Sequence, residues 1–72
     1  MNARYKQSSP EDQLIEECSE LIKALCKMKR FGKTAIDPHT GIKYDNLADC
    51  RAEISDVKQS IHRCLVTWSE TE

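Results

Sequence analysis

The sequence predicts an all-α protein, an antiparallel helical hairpin that completes a four-helix bundle by oligomerisation. Three observations predict it. Two stretches carry apolar residues at helical spacing, one turn-forming segment separates them, and the chain has only 72 residues. A chain of that size buries roughly 60% of the surface that its unfolded form exposes. One Trp, two Tyr and one Phe add little large apolar surface to that core. A second copy is the expected remedy, as a homodimer or a homotetramer, with residues 1–72 forming a single domain.

Taken in order, residues 1–8 are polar and expected to fray. Ser9-Pro10-Glu11-Asp12 reads as a helix start. Ser9 suits the N-cap, Pro10 the first helical position, and Asp12 can complete a capping box. Leu14, Cys18, Leu21, Leu25 and Met28 then alternate spacings of four and three, with Ile15 and Ile22 beside them. That is the apolar stripe of a helix. Lys27, Lys29 and Arg30 suit its C-terminal dipole, and Gly32 its termination. Within residues 33–45, Asp37-Pro38-His39-Thr40-Gly41 is a turn signal. Asn46, with Asp49 three residues on, is the expected cap of the second helix. Leu47, Cys50, Ile54, Val57, Ile61, Cys64, Leu65 and Trp68 form its stripe. This helix is expected to run to about Trp68, with residues 69–72 frayed. A hairpin alone leaves one side of each stripe wet, which is the second reason to expect assembly.

Composition excludes several classes. Eleven Lys+Arg against twelve Asp+Glu, a net charge of −1, lacks the basic footprint of general nucleic-acid binding. No apolar run approaches the ~20 residues of a membrane span. Met1 to Lys6 lacks the apolar stretch of a secretion signal, so a cytoplasmic protein is expected. Cys18, Cys26, Cys50 and Cys64 all fall in helical segments, with no CxxC or HxxxH pair, and His39 and His62 are isolated. Reduced thiols packed as small apolar groups are expected, rather than disulfides or zinc ligands. With Gly32 and Gly41 the two glycines, there is no glycine-rich phosphate loop.

The informative residues are acidic. At roughly 100° per residue, the apolar centre of the first helix passes near Cys18 and Leu25 and that of the second near Ile54 and Ile61. Glu17 lies roughly 100° from its centre and Glu20 about 60° further round. Glu53 and Asp56 take the same two offsets on the second helix. An antiparallel hairpin has a pseudo-twofold axis perpendicular to the plane of its helices, so flanks with equal offsets end on the same side. Glu17, Glu20, Glu53 and Asp56 therefore converge on one surface. Their repulsion must be offset by solvent, by basic side chains or by a divalent cation. Helix dipoles favour acidic residues early in a helix, and pairs such as Glu20 with Lys23 or Asp56 with Lys58 or Arg63 suit a merely solvated face. A charge-rich helical face is usually just solvated, while hard cations such as Mg²⁺ also take carboxylate oxygens.

Glu16-Glu17-x-x-Glu20 followed by Glu53-x-x-Asp56 on a later helix resembles the MazG-like all-α nucleoside triphosphate pyrophosphohydrolases. Lys27-Met28-Lys29-Arg30-Phe31-Gly32 and the Asn46-Leu47 start of the second helix look like the smaller, often phage-encoded branch. The resemblance covers residues 11 to 66. It implies hydrolysis of a ribo- or deoxynucleoside triphosphate to the monophosphate and pyrophosphate, with Mg²⁺ (or Mn²⁺) as cofactor. It implies metal ligation by Glu17, Glu20, Glu53 and Asp56. It also implies a helical hairpin assembled into dimers or tetramers, in the host cytoplasm where phage-encoded. Glu16 matches the first acidic position of the motif, for a second metal or for orienting water, though it faces away from the other four.

Basic residues suited to the outer phosphates are Lys27, Arg30 and Lys33, of which Lys27 shares the helical face of Glu20. C-capping is the alternative for Arg30 and Lys33. His39, Lys43 and Tyr44 lie in the loop, where they could cover a nucleotide. His62 is expected at the surface or an interface, and Trp68 as an interface anchor. Two other functions stay open: a nucleotide-binding protein without turnover, and a helical interaction module whose acidic face docks a basic partner.

Overall fold

The computed structural model describes residues 9–70. Helix α1 spans Pro10–Phe31, strand β1 Thr34–Ile36, strand β2 Lys43–Asp45 and helix α2 Asn46–Glu70. The expected helical hairpin is present, and its two helices pack along one another.

Helix α1 begins as its sequence dictates. The Asp12 backbone N–H donates to Ser9 Oγ at 3.1 Å, forming the Ser9 half of the capping box. Pro10 occupies the first turn, where its missing N–H costs nothing. The helix stops at Gly32, whose φ of 92° suits a residue without Cβ and whose N–H donates to Met28 O.

The loop expectation for residues 33–45 is corrected. This segment folds as a β-hairpin with Thr34 opposite Asp45, Ala35 opposite Tyr44 and Ile36 opposite Lys43. The anticipated turn closes it. Asp37 Oδ1 accepts the N–H groups of His39 and Thr40, and Gly41 turns the chain at φ 74°. Three-residue strands are too short to display an alternating pattern, so only their turn is visible in the sequence. The fold is thus mostly helical with a small two-stranded sheet.

The start of α2 is also corrected. Asp45 is its N-cap, its Oδ1 accepting the Ala48 N–H at 3.0 Å. Asn46 is instead 1% exposed, and its Nδ2 donates to Gly32 O at 2.9 Å. With Leu47 N–H bonded to Lys33 O, this ties the base of the hairpin together. At the far end α2 continues through Ser69 and Glu70, past the expected stop at Trp68. Neither Gly nor Pro interrupts it there, and Trp68 Nε1 donates to the Glu11 carboxylate on α1. That bond also holds the Glu11 carboxyl below its ordinary pKa. The expectations for residues 1–8, 71 and 72 lie outside the described residues.

The core is thin. Cys50, Val57 and Cys64 are its buried apolar members, and Asn46 and Ser60 lie in the same row. These positions recur at spacings of three, four and seven, the seam of two helices packed side by side. All four cysteines are free, with Cys50 and Cys64 buried, Cys18 half-buried and Cys26 exposed. Ile15, Ile22, Ile54, Ile61 and Leu65 stay 42–64% exposed. The molecule is 14 Å thick in its thinnest direction, a single layer of helices. No helix among the described residues is long and apolar enough to cross a membrane.

Candidate metal centre

The packing of small residues along the α2 seam determines where the carboxylates stand. Cys50, Val57, Ser60 and Cys64 face α1, and this rotates α2 so that Glu53, in phase with them, half-enters the helix interface. Glu17 does the same from α1. One carboxylate oxygen each from Glu17, Glu53 and Asp56 lie within 4.8 Å of one another. Three of the four residues expected to converge therefore form a tight group, drawn from two helices.

Glu20, the fourth, stands one turn further along α1. It borders a cleft of about 230 Å³ with Glu53, Asp49, Lys23 and Lys27. Asp49, which reads in the sequence as a capping residue, thus adds a further carboxylate to the acidic face. Glu16 is exposed and acts on the group by charge. Among the basic candidates, Lys27 lines the cleft, while its Nζ stands 4.7 Å over the ring of Tyr44, which lines a neighbouring pocket with Phe31 and Ile36. Arg30 stacks on its neighbour Phe31 instead, and Lys33 holds the base of α2 through its carbonyl. Neither is among the residues lining the two cavities that border the carboxylates. His39 and His62 are exposed, and Trp68 remains 43% exposed.

The electrostatics of the group are unfavourable without a counter-charge. Part burial raises the Glu17 carboxyl above its ordinary pKa, and the charges of Asp56, Glu53, Glu16 and Glu20 push it in the same direction. Glu53 Oε1 is buried with no hydrogen-bond partner among the described residues. A buried carboxylate oxygen without a donor costs about 1–3 kcal/mol or more. A cation between the three residues removes both penalties.

The donor set fits Mg²⁺. Its oxygen ligands at about 2.0–2.1 Å stand about 3 Å apart when adjacent and about 4.2 Å apart when opposite. Any three positions of an octahedron include at least two adjacent pairs, so oxygens up to 4.8 Å apart must close by up to about 1.8 Å to share the ion. Carboxylates of this kind leave the remaining positions to waters and phosphate oxygens, the usual arrangement for this ion.

The raised Glu17 sets the pH dependence. A raised pKa means that the folded protein holds the proton more tightly than the unfolded chain. Metal-free stability therefore falls as pH rises through the folded value, while cation affinity rises through the same window. Mn²⁺ affinity measured by calorimetry is expected to fall by up to about tenfold per pH unit on acidification. The decline should begin above the ordinary carboxylate value of 4.5. A midpoint at or below that value would disconnect Glu17 from the ion.

Sequence reading missed a second cavity. Gln13, Glu17, Asp56, Gln59, Ser60 and Arg63 surround about 360 Å³ on the other side of the carboxylate group. Arg63 Nη1 donates to the Gln13 carboxamide oxygen. The two residues are 50 positions apart, and no local pattern connects them. No protein-family profile, curated protein or solved structure matches the chain.

Proposed function

We propose that this chain is a Mg²⁺-dependent nucleoside triphosphate pyrophosphohydrolase of the MazG-like kind, with Mn²⁺ able to replace Mg²⁺. The observation that carries this reading is the meeting of Glu17, Glu53 and Asp56 from two antiparallel helices, at positions that also carry the paired acidic motif. Glu17, Glu53 and Asp56 hold the cation, with Glu20 one turn along. When bound, the cation neutralises phosphate charge and acidifies the attacking water.

In the reaction, water adds to the α-phosphorus. The bond to the bridging oxygen breaks, pyrophosphate leaves with the electron pair, and the monophosphate and a proton are released. Glu20 borders the cleft beside Glu53 and is the group to receive that proton. Lys27 lines the same cleft and offers its ammonium to the phosphates. Its position over Tyr44 limits the freedom of a long side chain, which lowers the entropy lost on binding.

Assembly belongs to the same reading. The exposed row of Ile15, Ile22, Ile54, Ile61 and Leu65 lies on the opposite side of the seam from the carboxylates. Two hairpins joined by these faces form a four-helix bundle that leaves both acidic faces open to substrate.

The test is chromatography of products after incubation with Mg²⁺ and a panel of ribo- and deoxynucleoside triphosphates. Monophosphate and pyrophosphate in equal amounts, lost on adding EDTA, are expected. Intact nucleotides that nevertheless bind only with Mg²⁺ would replace hydrolysis with nucleotide sequestration.

A further inference from the structure

Two neighbouring groups of side chains around the 360 Å³ cavity have opposite requirements. Its lining joins two carboxylate residues, Glu17 and Asp56, to Arg63, Gln13, Gln59 and Ser60, whose side chains carry N–H and O–H donors. A free anion is repelled by the first set and a bare cation gains nothing from Arg63. A cation carrying its own anion satisfies both. Among the described residues Arg63 makes no ion pair with either carboxylate; it hydrogen-bonds the neutral Gln13 side chain instead. That bond uses one of five guanidinium N–H groups and orients the rest. A guanidinium of this kind matches the paired oxygens of a phosphate.

We propose that this cavity binds the phosphate chain of the metal-bound substrate and, after cleavage, the pyrophosphate product, with Arg63 donating to non-bridging phosphate oxygens and Gln13 positioning it. The proposal rests on the metal-centre reading above and adds a phosphate ligand on the side of the carboxylates opposite Lys27. It places the β- and γ-phosphates towards the paired ends of the helices, Gln13 and Arg63, and leaves the α-phosphate and the rest of the nucleotide to the cleft of Glu20, Lys23 and Lys27.

The experiment measures two affinities by calorimetry, Mn²⁺ alone and inorganic pyrophosphate in saturating Mg²⁺, for the unaltered protein, Arg63→Gln and Arg63→Lys. Arg63 is exposed, and equal helicity by circular dichroism will establish that the variants fold. Loss of charge-assisted hydrogen bonds is expected to weaken pyrophosphate binding by about 10- to 100-fold in Arg63→Gln. Arg63→Lys should fall in between, since it keeps the charge without the fork. Mn²⁺ affinity should stay within about twofold of the unaltered protein in both variants, because Arg63 is not a metal ligand. Undiminished pyrophosphate binding in Arg63→Gln, with Mn²⁺ binding intact, overturns this proposal and leaves the metal centre standing. A parallel loss of Mn²⁺ affinity overturns it too, since Arg63 would then act on the carboxylates. Absence of Mn²⁺ binding in the unaltered protein overturns the metal centre and the phosphate site together.

Discussion

Glu53→Gln is expected to make the metal-free protein more stable and to abolish its stabilisation by Mg²⁺. The amide keeps the shape of the carboxylate and removes one charge from the group formed with Glu17 and Asp56. Like-charge contacts on helices cost up to about 0.5 kcal/mol per pair. In a domain of this size that is a rise of about 2–4 °C in melting temperature. The amide N–H groups also gain acceptors in the two remaining carboxylates. In contrast, a cation at 100 times its dissociation constant adds about 2.7 kcal/mol to a protein that binds it only when folded. That is about 10–20 °C. The two proteins should therefore exchange order: the variant melts higher in EDTA, the unaltered chain higher in Mg²⁺. Thermal melts at one protein concentration decide it. An equal gain from Mg²⁺ in both proteins would remove Glu53 from the site.

In the proposed four-helix bundle, Ile61→Glu is expected to convert a dimer into a less stable monomer. Ile61 is 42% exposed in the single chain, beside Ile54 at 45% and Leu65 at 55%. Among the described residues the buried apolar side chains are Cys50, Val57 and Cys64, few for helices of 22 and 25 residues. In a symmetric dimer each interface residue counts twice. Full burial of an Ile side chain contributes about 1.5–3 kcal/mol, and Ile61 has 42% of its surface left to cover, so the substitution removes about 1.3–2.5 kcal/mol from the association of two copies. The dissociation constant should rise by about one to two orders of magnitude, about 1.4 kcal/mol corresponding to each. Sedimentation equilibrium across a range of concentrations reads this directly. A monomeric unaltered chain at high micromolar concentration would overturn the bundle, as would an Ile61→Glu protein that assembles normally. Because Glu17, Glu53 and Asp56 lie on the opposite face, the monomeric variant should still bind Mn²⁺ wherever it remains folded.

These two expectations use opposite sides of one hairpin, and that division is readable in the amino-acid order. Glu17 and Glu20 take two angular offsets from the apolar stripe of α1, and Glu53 and Asp56 take the same two from that of α2. Helical periodicity alone converts this into a shared face. The ends of α1 are equally local matters. A hydroxyl at Ser9, a ring at Pro10 and a missing Cβ at Gly32 act on backbone within four residues, so nearest neighbours suffice to place them.

The rotation of α2 about its own axis is different. The stripe is wide, and its bulkiest members, Ile54 and Ile61, look like the centre. Close approach of two helices instead selects the narrower row of Cys50, Val57, Ser60 and Cys64, because small side chains permit a shorter interaxial distance. That choice draws Glu17 and Glu53 half-inside, raises the Glu17 carboxyl and leaves Glu53 Oε1 without a donor. It separates Glu20 from the tight group. It also turns Asn46 inwards to bond Gly32 O, so the capping role passes to Asp45.

What the sequence by itself determined is the pair of amphipathic helices, their caps on α1, the turn at Asp37–Gly41 and the common face of the carboxylates. Each follows from interactions or periodicities within a few residues along the chain. Tertiary structure alone decided which row of α2 meets α1, that three-residue strands pair across the turn, and that Arg63 meets Gln13 beside Glu17 and Asp56. Those features depend on contacts between residues far apart in the chain, and their strength is known only when both partners are in place.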